Sequence, residues 1–337
     1  MLDNGRRSKW WRRKGSAKRG FDYFKHDGKP VSDEISLERI RSLVIPPAWR
    51  NVRISPAPGG KLQALGIDTS GRIQYIYHPK FAERQQRKKF ERIEKFGACL
   101  PALRRATNEH ISLEGFPREK VLAIMIRLIN SLYIRMGTDK SVKNYRTFGI
   151  TTLRNDHVTI DPKGKVTFEF IGKSRIAHKK VFVDPELAAL LRELTNFGRG
   201  RKLFQYSNGD GSANAVRPSQ INEYIKSITA SNYTAKDFRT WGASQLAAVK
   251  LAEIGVGENE SEVKKNIAQA VKTVAAELGN TPSVCRSSYI HPHVLKAYAK
   301  GLVLDSFTPR RKRRTKRIEN ELEPDELSLL KLFEHFR

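Results

Sequence analysis

Cutting a phosphodiester without a metal needs a nucleophile, cations to neutralise the phosphoryl transition state, and a proton donor for the departing oxygen. The natural parts are arginines, a tyrosine and a lysine, and this sequence holds them in distinctive settings. Arg135 closes an apolar stretch from Val121 to Met136, and Lys173 follows Gly172 at a turn. Arg239 sits in Lys236-Asp237-Phe238-Arg239-Thr240-Trp241-Gly242, and Tyr289 ends Cys285-Arg286-Ser287-Ser288-Tyr289. Each residue alone also has an ordinary reading. A helix-end arginine can snorkel to solvent, a turn lysine is commonly exposed, Arg239 can pair with an internal acid, and a tyrosine can simply pack.

Competing chemistries lack their parts. Gly172-Lys173-Ser174 resembles the end of a phosphate-binding loop, but that motif needs a glycine five residues earlier, where the chain has Thr167. Mg²⁺-dependent cleavage calls for clustered carboxylates, and no Asp-x-Asp occurs. His291 and His293 stand two apart with no cysteine or acid cluster nearby in sequence, which reads as structural. No metal and no cofactor are therefore expected.

The charge distribution points to the partner. Lys and Arg number 63 against 35 Asp and Glu, a formal +28. Residues 1–20 and 309–317 each carry +7 and residues 318–337 carry −4, so the body between 21 and 308 holds +18 by itself. A body that basic calls for a polyanion, and covering about 8 phosphates of duplex DNA would give a salt slope of about −7. Two cysteines exclude a disulfide scaffold. The Val121–Met136 stretch falls short of a membrane span, and the basic N-terminus is not a signal peptide. The expectation is a cytoplasmic, nucleoid-associated protein.

The elements that must position these residues read as α+β. Residues 1–20 look like a basic disordered arm. Residues 21–85 read as a small β-rich domain, with Arg72-Ile73-Gln74-Tyr75-Ile76-Tyr77 alternating as a strand. From 86 to 305 the pattern is mainly helical, with helices near 81–96, 101–110 and 118–136, interrupted by an antiparallel meander of about three strands from Phe148 to Val183. Thr234 and Asp237 form a capping box, Ser261 opens a long helix ending near Gly279, and His291-Pro292 breaks the helix carrying Tyr289. Residues 306–337 form a basic linker and an acidic C-terminal helix from about Pro324 to Phe336.

Taken together and in order, these strings resemble the type IB DNA topoisomerases, in their small bacterial and poxvirus-like branch, from about Val44 to Leu302. The strings are Ile45-Pro46-Pro47-Ala48-Trp49, Gly71-Arg72-x-Gln74-Tyr75-x-Tyr77-His78-Pro79, Ile134-Arg135-Met136-Gly137, Thr151-Thr152-Leu153 with His157-Val158, Ile171-Gly172-Lys173, Lys236-Asp237-Phe238-Arg239-Thr240, and Gly279-Asn280-Thr281-Pro282 with Tyr289 nine residues beyond Asn280. The resemblance implies a C-shaped clamp on double-stranded DNA, acting as a monomer without ATP. Tyr289 would attack the phosphate to form a 3′-phosphotyrosyl link, Arg135 and Arg239 would hold the non-bridging oxygens, and Lys173 would protonate the leaving 5′ oxygen. Asn280 stands where many relatives carry histidine; it can donate a hydrogen bond but cannot titrate, so it is expected to bind the transition state. Gln74, Tyr75, Tyr77 and Lys236 are expected to contact DNA, with Tyr75 and Tyr77 on one strand face; a packed face is the other reading of that pair.

A tyrosine recombinase would use similar residues, but its second arginine usually follows a histidine by three, where this chain has Lys236, and its N-terminal domain is typically helical. A non-catalytic architectural DNA-binding protein would have no use for the motif register.

Overall fold

Alternating apolar residues in the first 80 positions build a five-stranded antiparallel sheet of order β2-β1-β3-β4-β5, with β1 Trp11–Ser16, β2 Gly20–Phe24, β3 Arg50–Ile54, β4 Leu62–Ile67 and β5 Ile73–Tyr77. The computed structural model describes residues 7–198, 200–209, 212–307 and 320–337, so the basic run 309–317 lies outside the described residues. One helix, α1 (Glu34–Ser42), packs Ile40 against the sheet beside Trp11, Val31, Val52, Ile54 and Ala64.

Residues 11–20 therefore correct the expectation of a disordered arm. Trp11 is buried, and Arg13 donates to the carbonyls of Pro46 at 3.1 Å and Trp49 at 2.7 Å, tying β1 to the Ile45–Trp49 string. Gly15 makes the β1–β2 turn possible: its φ is +101°, and a Cβ there would stand 2.3 Å from the Gly20 carbonyl oxygen. The helix α1 is a second correction, within a stretch read as strands and turns.

The chain divides into two compact units, residues 1–89 and 90–337, at a point inside α2 (Pro79–Ala98). In the larger unit α3 (Leu100–Ile111) and α4 (Arg118–Leu132) pair, and α4 is the centre of the core: Val121, Ala123, Ile124, Met125, Leu128 and Ile129 are fully buried. Its one interior arginine, Arg127, reaches Glu186 at 3.1 Å.

A short helix α5 (Asp139–Tyr145) follows, then the meander β6 (Val158–Ile160), β7 (Lys165–Ile171) and β8 (Ala177–Val183), in order β6-β7-β8. After α6 (Pro185–Asn196) comes a small hairpin, β9 (Gln205–Ser207) and β10 (Ala213–Ala215), in a region expected to be helical throughout. Then come α7 (Pro218–Thr229), α8 (Ala235–Ile254), α9 (Glu260–Leu278), α10 (Pro282–Ser288), α11 (Pro292–Ala299) and α12 (Pro324–His335). Asn259, not Ser261, caps α9, through its side chain on the Glu262 amide at 3.0 Å.

The C-terminal helix α12 is part of this core. Leu329, Leu332 and Phe333 are buried against α8 and α11, and Arg104 on α3 forms a two-pronged, nearly dry ion pair with Glu326 at 2.7 and 2.8 Å. No described helix is long and apolar enough to cross a membrane.

Candidate active site

Arg135 does not end a helix. α4 stops at Leu132 because Tyr133 adopts a left-handed backbone (φ 54°), and the chain runs on to Thr138 without regular secondary structure. The apolar run continues past the helix, which explains the longer expectation. The Arg135 carbonyl then accepts from the Ile150 amide at 2.8 Å, and Thr151 Oγ1 donates to the Gly137 carbonyl at 2.9 Å. A Cβ on Gly149 would stand 2.4 Å from the Arg135 carbonyl oxygen, so a glycine is required for this approach. The Thr151-Thr152 string thus fixes the arginine's backbone.

Arg239 is placed by the cap of α8. Asp237 accepts from the Thr234 amide at 2.7 Å, and Arg92 holds Asp237 at 2.7 and 3.2 Å. Two residues beyond Arg239, Trp241 lies over Gly97 of α2, in the space a Cβ would need.

Both guanidiniums bind carbonyls at the end of α9, where the helix dipole is negative. Arg239 donates to the Leu278 carbonyl at 2.9 Å and to the Tyr133 carbonyl; Arg135 donates to the Gly279 carbonyl at 3.0 Å and to Asn280 Oδ1. Carbonyls fix a guanidinium without cancelling its charge. Burial lowers the pKa of both arginines, and the neighbouring Arg135 charge helps bring Arg239 down to about 10.

Two buried donors at this point have no acceptor among the described residues: Arg239 Nε and Asn280 Nδ2. The amide orientation of Asn280 follows from Arg135, which must meet its oxygen. Buried orphan donors beside uncancelled positive charge describe an anion site.

Tyr289 follows α10, its amide held by the Cys285 carbonyl at 2.9 Å, with the Arg239 guanidinium over its ring at 5.4 Å and its phenol close enough to act electrostatically on both arginines. Ser244 of α8 accepts the His291 amide at 2.9 Å, fixing the segment from behind, and its one hydroxyl proton lies between the Thr240 carbonyl at 2.9 Å and the Tyr289 carbonyl at 3.3 Å.

Lys173 projects from the β7–β8 turn, where Ser174 and Arg175 both have positive φ. It is exposed, forms no hydrogen bond or ion pair with a described residue, and lines one pocket with Arg135 and Arg239. Arg135, Lys173, Arg239, Asn280 and Tyr289 thus converge.

The expected DNA contacts are more scattered. Tyr75 and Tyr77 are exposed on one face of β5, rings stacked at 6.2 Å. Gln74 points to the other face and donates to Asp68 at 2.8 Å, within a turn. Lys236 is exposed in the first turn of α8.

His178 on β8 was not singled out from the sequence, yet it lines the pocket and stacks on Phe170 at 5.1 Å. Burial, then the charges of Lys180, Arg135 and Arg239, push its pKa down to about 4, so it is neutral at physiological pH. Its inward place in the β7–β8 alternation was the available signal.

His291 and His293 lie near Glu94, a neighbour the sequence did not show. His291 Nδ1 accepts from the His293 amide at 3.1 Å, which leaves the proton on Nε2, 3.4 Å from Glu94. Metal ligation through Nε2 needs the opposite tautomer, and Arg337 already binds Glu94 at 2.8 Å. The donor set fits an ion-pair cluster better than a metal.

The eukaryotic DNA topoisomerase I catalytic core family matches residues 78–310, and the bacterial DNA topoisomerase IB N-terminal domain family matches residues 20–68. Among curated proteins, the chain is 30% identical over 285 residues to DNA topoisomerase 1B of Acanthamoeba polyphaga mimivirus, covering 82% of this chain and 84% of that one. It is 24% identical over 247 residues to DNA topoisomerase 1B of vaccinia virus, covering 73% and 75%. DNA topoisomerase 1 of Candida albicans is 29% identical over 192 residues, 56% of this chain and 23% of the yeast protein.

Proposed function

The chain belongs to the type IB DNA topoisomerases, and on that footing we propose that it relaxes positive and negative supercoils through a 3′-phosphotyrosyl intermediate, using the five converging side chains and neither ATP nor a metal. The observation that carries this reading is the pair of uncancelled guanidiniums with orphan donors on Arg239 and Asn280, the Arg239 guanidinium lying over the Tyr289 ring at 5.4 Å.

A scissile phosphate seated there receives the Arg239 Nε–H and the Asn280 amide on its non-bridging oxygens, while the guanidinium charges meet the negative charge that builds up at phosphorus. The Tyr289 oxygen attacks phosphorus and loses its proton to solvent, and the bond to the 5′ oxygen breaks. Lys173 gives that oxygen a proton, leaving a free 5′-hydroxyl, a role worth ~10²–10⁴-fold. One phosphodiester has replaced another, so no energy source is needed for the reverse step. Between the two steps torque turns the free end. The small sheet unit, with Tyr75 and Tyr77 exposed, serves as the second half of a clamp on duplex DNA, gripping mainly phosphates, and the protein works as a monomer.

The polarity of the covalent link tests the mechanism. With a duplex whose cut strand releases a short fragment, a label on the 5′ side of the break should travel with the protein in denaturant, and the released fragment should accept a phosphate from polynucleotide kinase without prior dephosphorylation. A label on the 3′ side travelling with the protein would overturn the proposal.

A further inference from the structure

The β7–β8 hairpin and the end of α9 approach each other through two glycines, each immediately before a residue of the site: Gly172 before Lys173 and Gly279 before Asn280. Between them lies the His178 ring. A Cβ on Gly172 would stand 2.5 Å from His178 Cδ2 and 2.6 Å from Nε2; a Cβ on Gly279 would stand 2.4 Å from Cε1 and 3.0 Å from Nε2. The Nε2 edge of the imidazole is therefore lodged against both backbones, where neither accommodates a side chain. Phe170 covers the ring face at 21° from parallel, so the ring cannot swing aside without losing that contact.

The lysine turn itself has weak means of holding its place. Within the turn its hydrogen bonds are local, from the Gly172 amide to Ile176 at 2.8 Å and from Arg175 to Gly172 at 3.1 Å, and Lys173 is exposed. The long-range bond beside it, from the Phe148 amide to the Ile171 carbonyl at 2.7 Å, ties the end of β7 to the segment before β6 and not to α9. The nearest strong tether to α9 is Lys180, which binds the Glu277 carbonyl at 2.6 Å from the same strand.

We propose that His178 is a positioning residue: its imidazole edge, wedged between Gly172 and Gly279, sets the spacing between the turn that carries Lys173 and the turn that carries Asn280, and so delivers the lysine ammonium to the leaving 5′ oxygen. This rests on the general-acid role proposed for Lys173. Because the ring acts as a spacer and remains neutral at working pH, an imidazole proton is not consumed in the reaction. A small side chain at 178 leaves a gap into which the hairpin tip relaxes, and a proton donor displaced by about 1 Å loses much of its effect.

The test is single-turnover cleavage of a duplex substrate carrying either an ordinary phosphodiester or a 5′-bridging phosphorothiolate, whose sulfur leaves without needing a proton. On the phosphodiester, His178→Ala should be about 10- to 100-fold slower than the unaltered protein, and on the phosphorothiolate within about threefold of it. His178→Gln, planar and of similar reach, should recover most of the phosphodiester rate. The double variant with Lys173→Ala should be no slower than Lys173→Ala alone. Noncovalent DNA binding by His178→Ala, measured in parallel, should be unchanged. If Lys173→Ala is rescued by sulfur but His178→Ala is slowed equally on both substrates, His178 acts elsewhere in the pocket and the proposal falls alone. If Lys173→Ala is not rescued, the general-acid reading falls and takes the proposal with it.

Discussion

Burial, and then the like charge of Arg135, leave Arg239 with a cost that an anion can offset, and that cost can be sized. Arg239 is brought down to about 10, more than two pH units below an ordinary guanidinium. At 1.36 kcal/mol per unit, charging it in the pocket costs about 3 kcal/mol. An oxyanion bound between the two guanidiniums offsets part of that cost. Sulfate binding with a dissociation constant of about 1 mM would, at about 100 mM, stabilise the fold by about 2.7 kcal/mol, the same order of magnitude. Urea unfolding at pH 7.5 measures it, with ionic strength held constant by chloride because the chain carries +28. Circular dichroism at the helix band follows the larger unit, which holds nearly all the helix. Arg239→Met should lose most of the sulfate increment, while Lys143→Met, an exposed position on α5, should keep it. Equal sulfate increments in the unaltered protein and Arg239→Met would refute the reasoning, since the anion would then be acting on the general surface charge.

Three further outcomes are expected. Glu326→Ala leaves Arg104 buried without its carboxylate, and should cost about 3–5 kcal/mol in urea unfolding; a loss below about 1 kcal/mol would mean that α12 does not depend on this pair. Removing residues 324–337 should destabilise the larger unit further by exposing Leu329, Leu332 and Phe333, whereas removing 309–317 alone should flatten the salt slope of DNA binding and spare relaxation. The His178 pKa is lowered to about 4, so the unfolded chain takes up a proton near pH 6.5 that the folded chain refuses until about pH 4; stability is full above 6.5 and is lost as pH falls through that window. His178→Gln should lose less stability than the unaltered protein between pH 6.5 and 4, and identical pH profiles would contradict the burial of that ring.

Much of the site was legible in the chain because its strings are short and local. The capping box of Thr234 and Asp237 fixes the phase of α8, and with it the direction of Arg239; Gly172-Lys173 sits between two alternating strands and had to be their turn. What escaped depends on contacts distant in sequence. The apolar pattern makes Arg135 a helix end because hydrophobicity continues through Ile134 and Met136, whereas the segment leaves α4 at Tyr133 and lies against Gly149–Thr152. Composition makes Trp11 and Arg13 part of a basic arm because charge dominates there, while the fold uses the tryptophan as core and the arginine as a brace. The Glu94–His291 approach and the His178 wedge join residues nearly 200 and about 100 positions apart, and no local pattern records either.

Plasmid relaxation tests the central claim most directly: negatively supercoiled DNA incubated in EDTA without ATP, with the unaltered protein and Tyr289→Phe side by side, and a denaturing sample drawn from each. The account predicts relaxation and a covalent protein–DNA adduct with the unaltered protein, and DNA binding with neither relaxation nor adduct for Tyr289→Phe. An adduct of undiminished yield from Tyr289→Phe, or relaxation that appears only when a divalent metal is supplied, would contradict it.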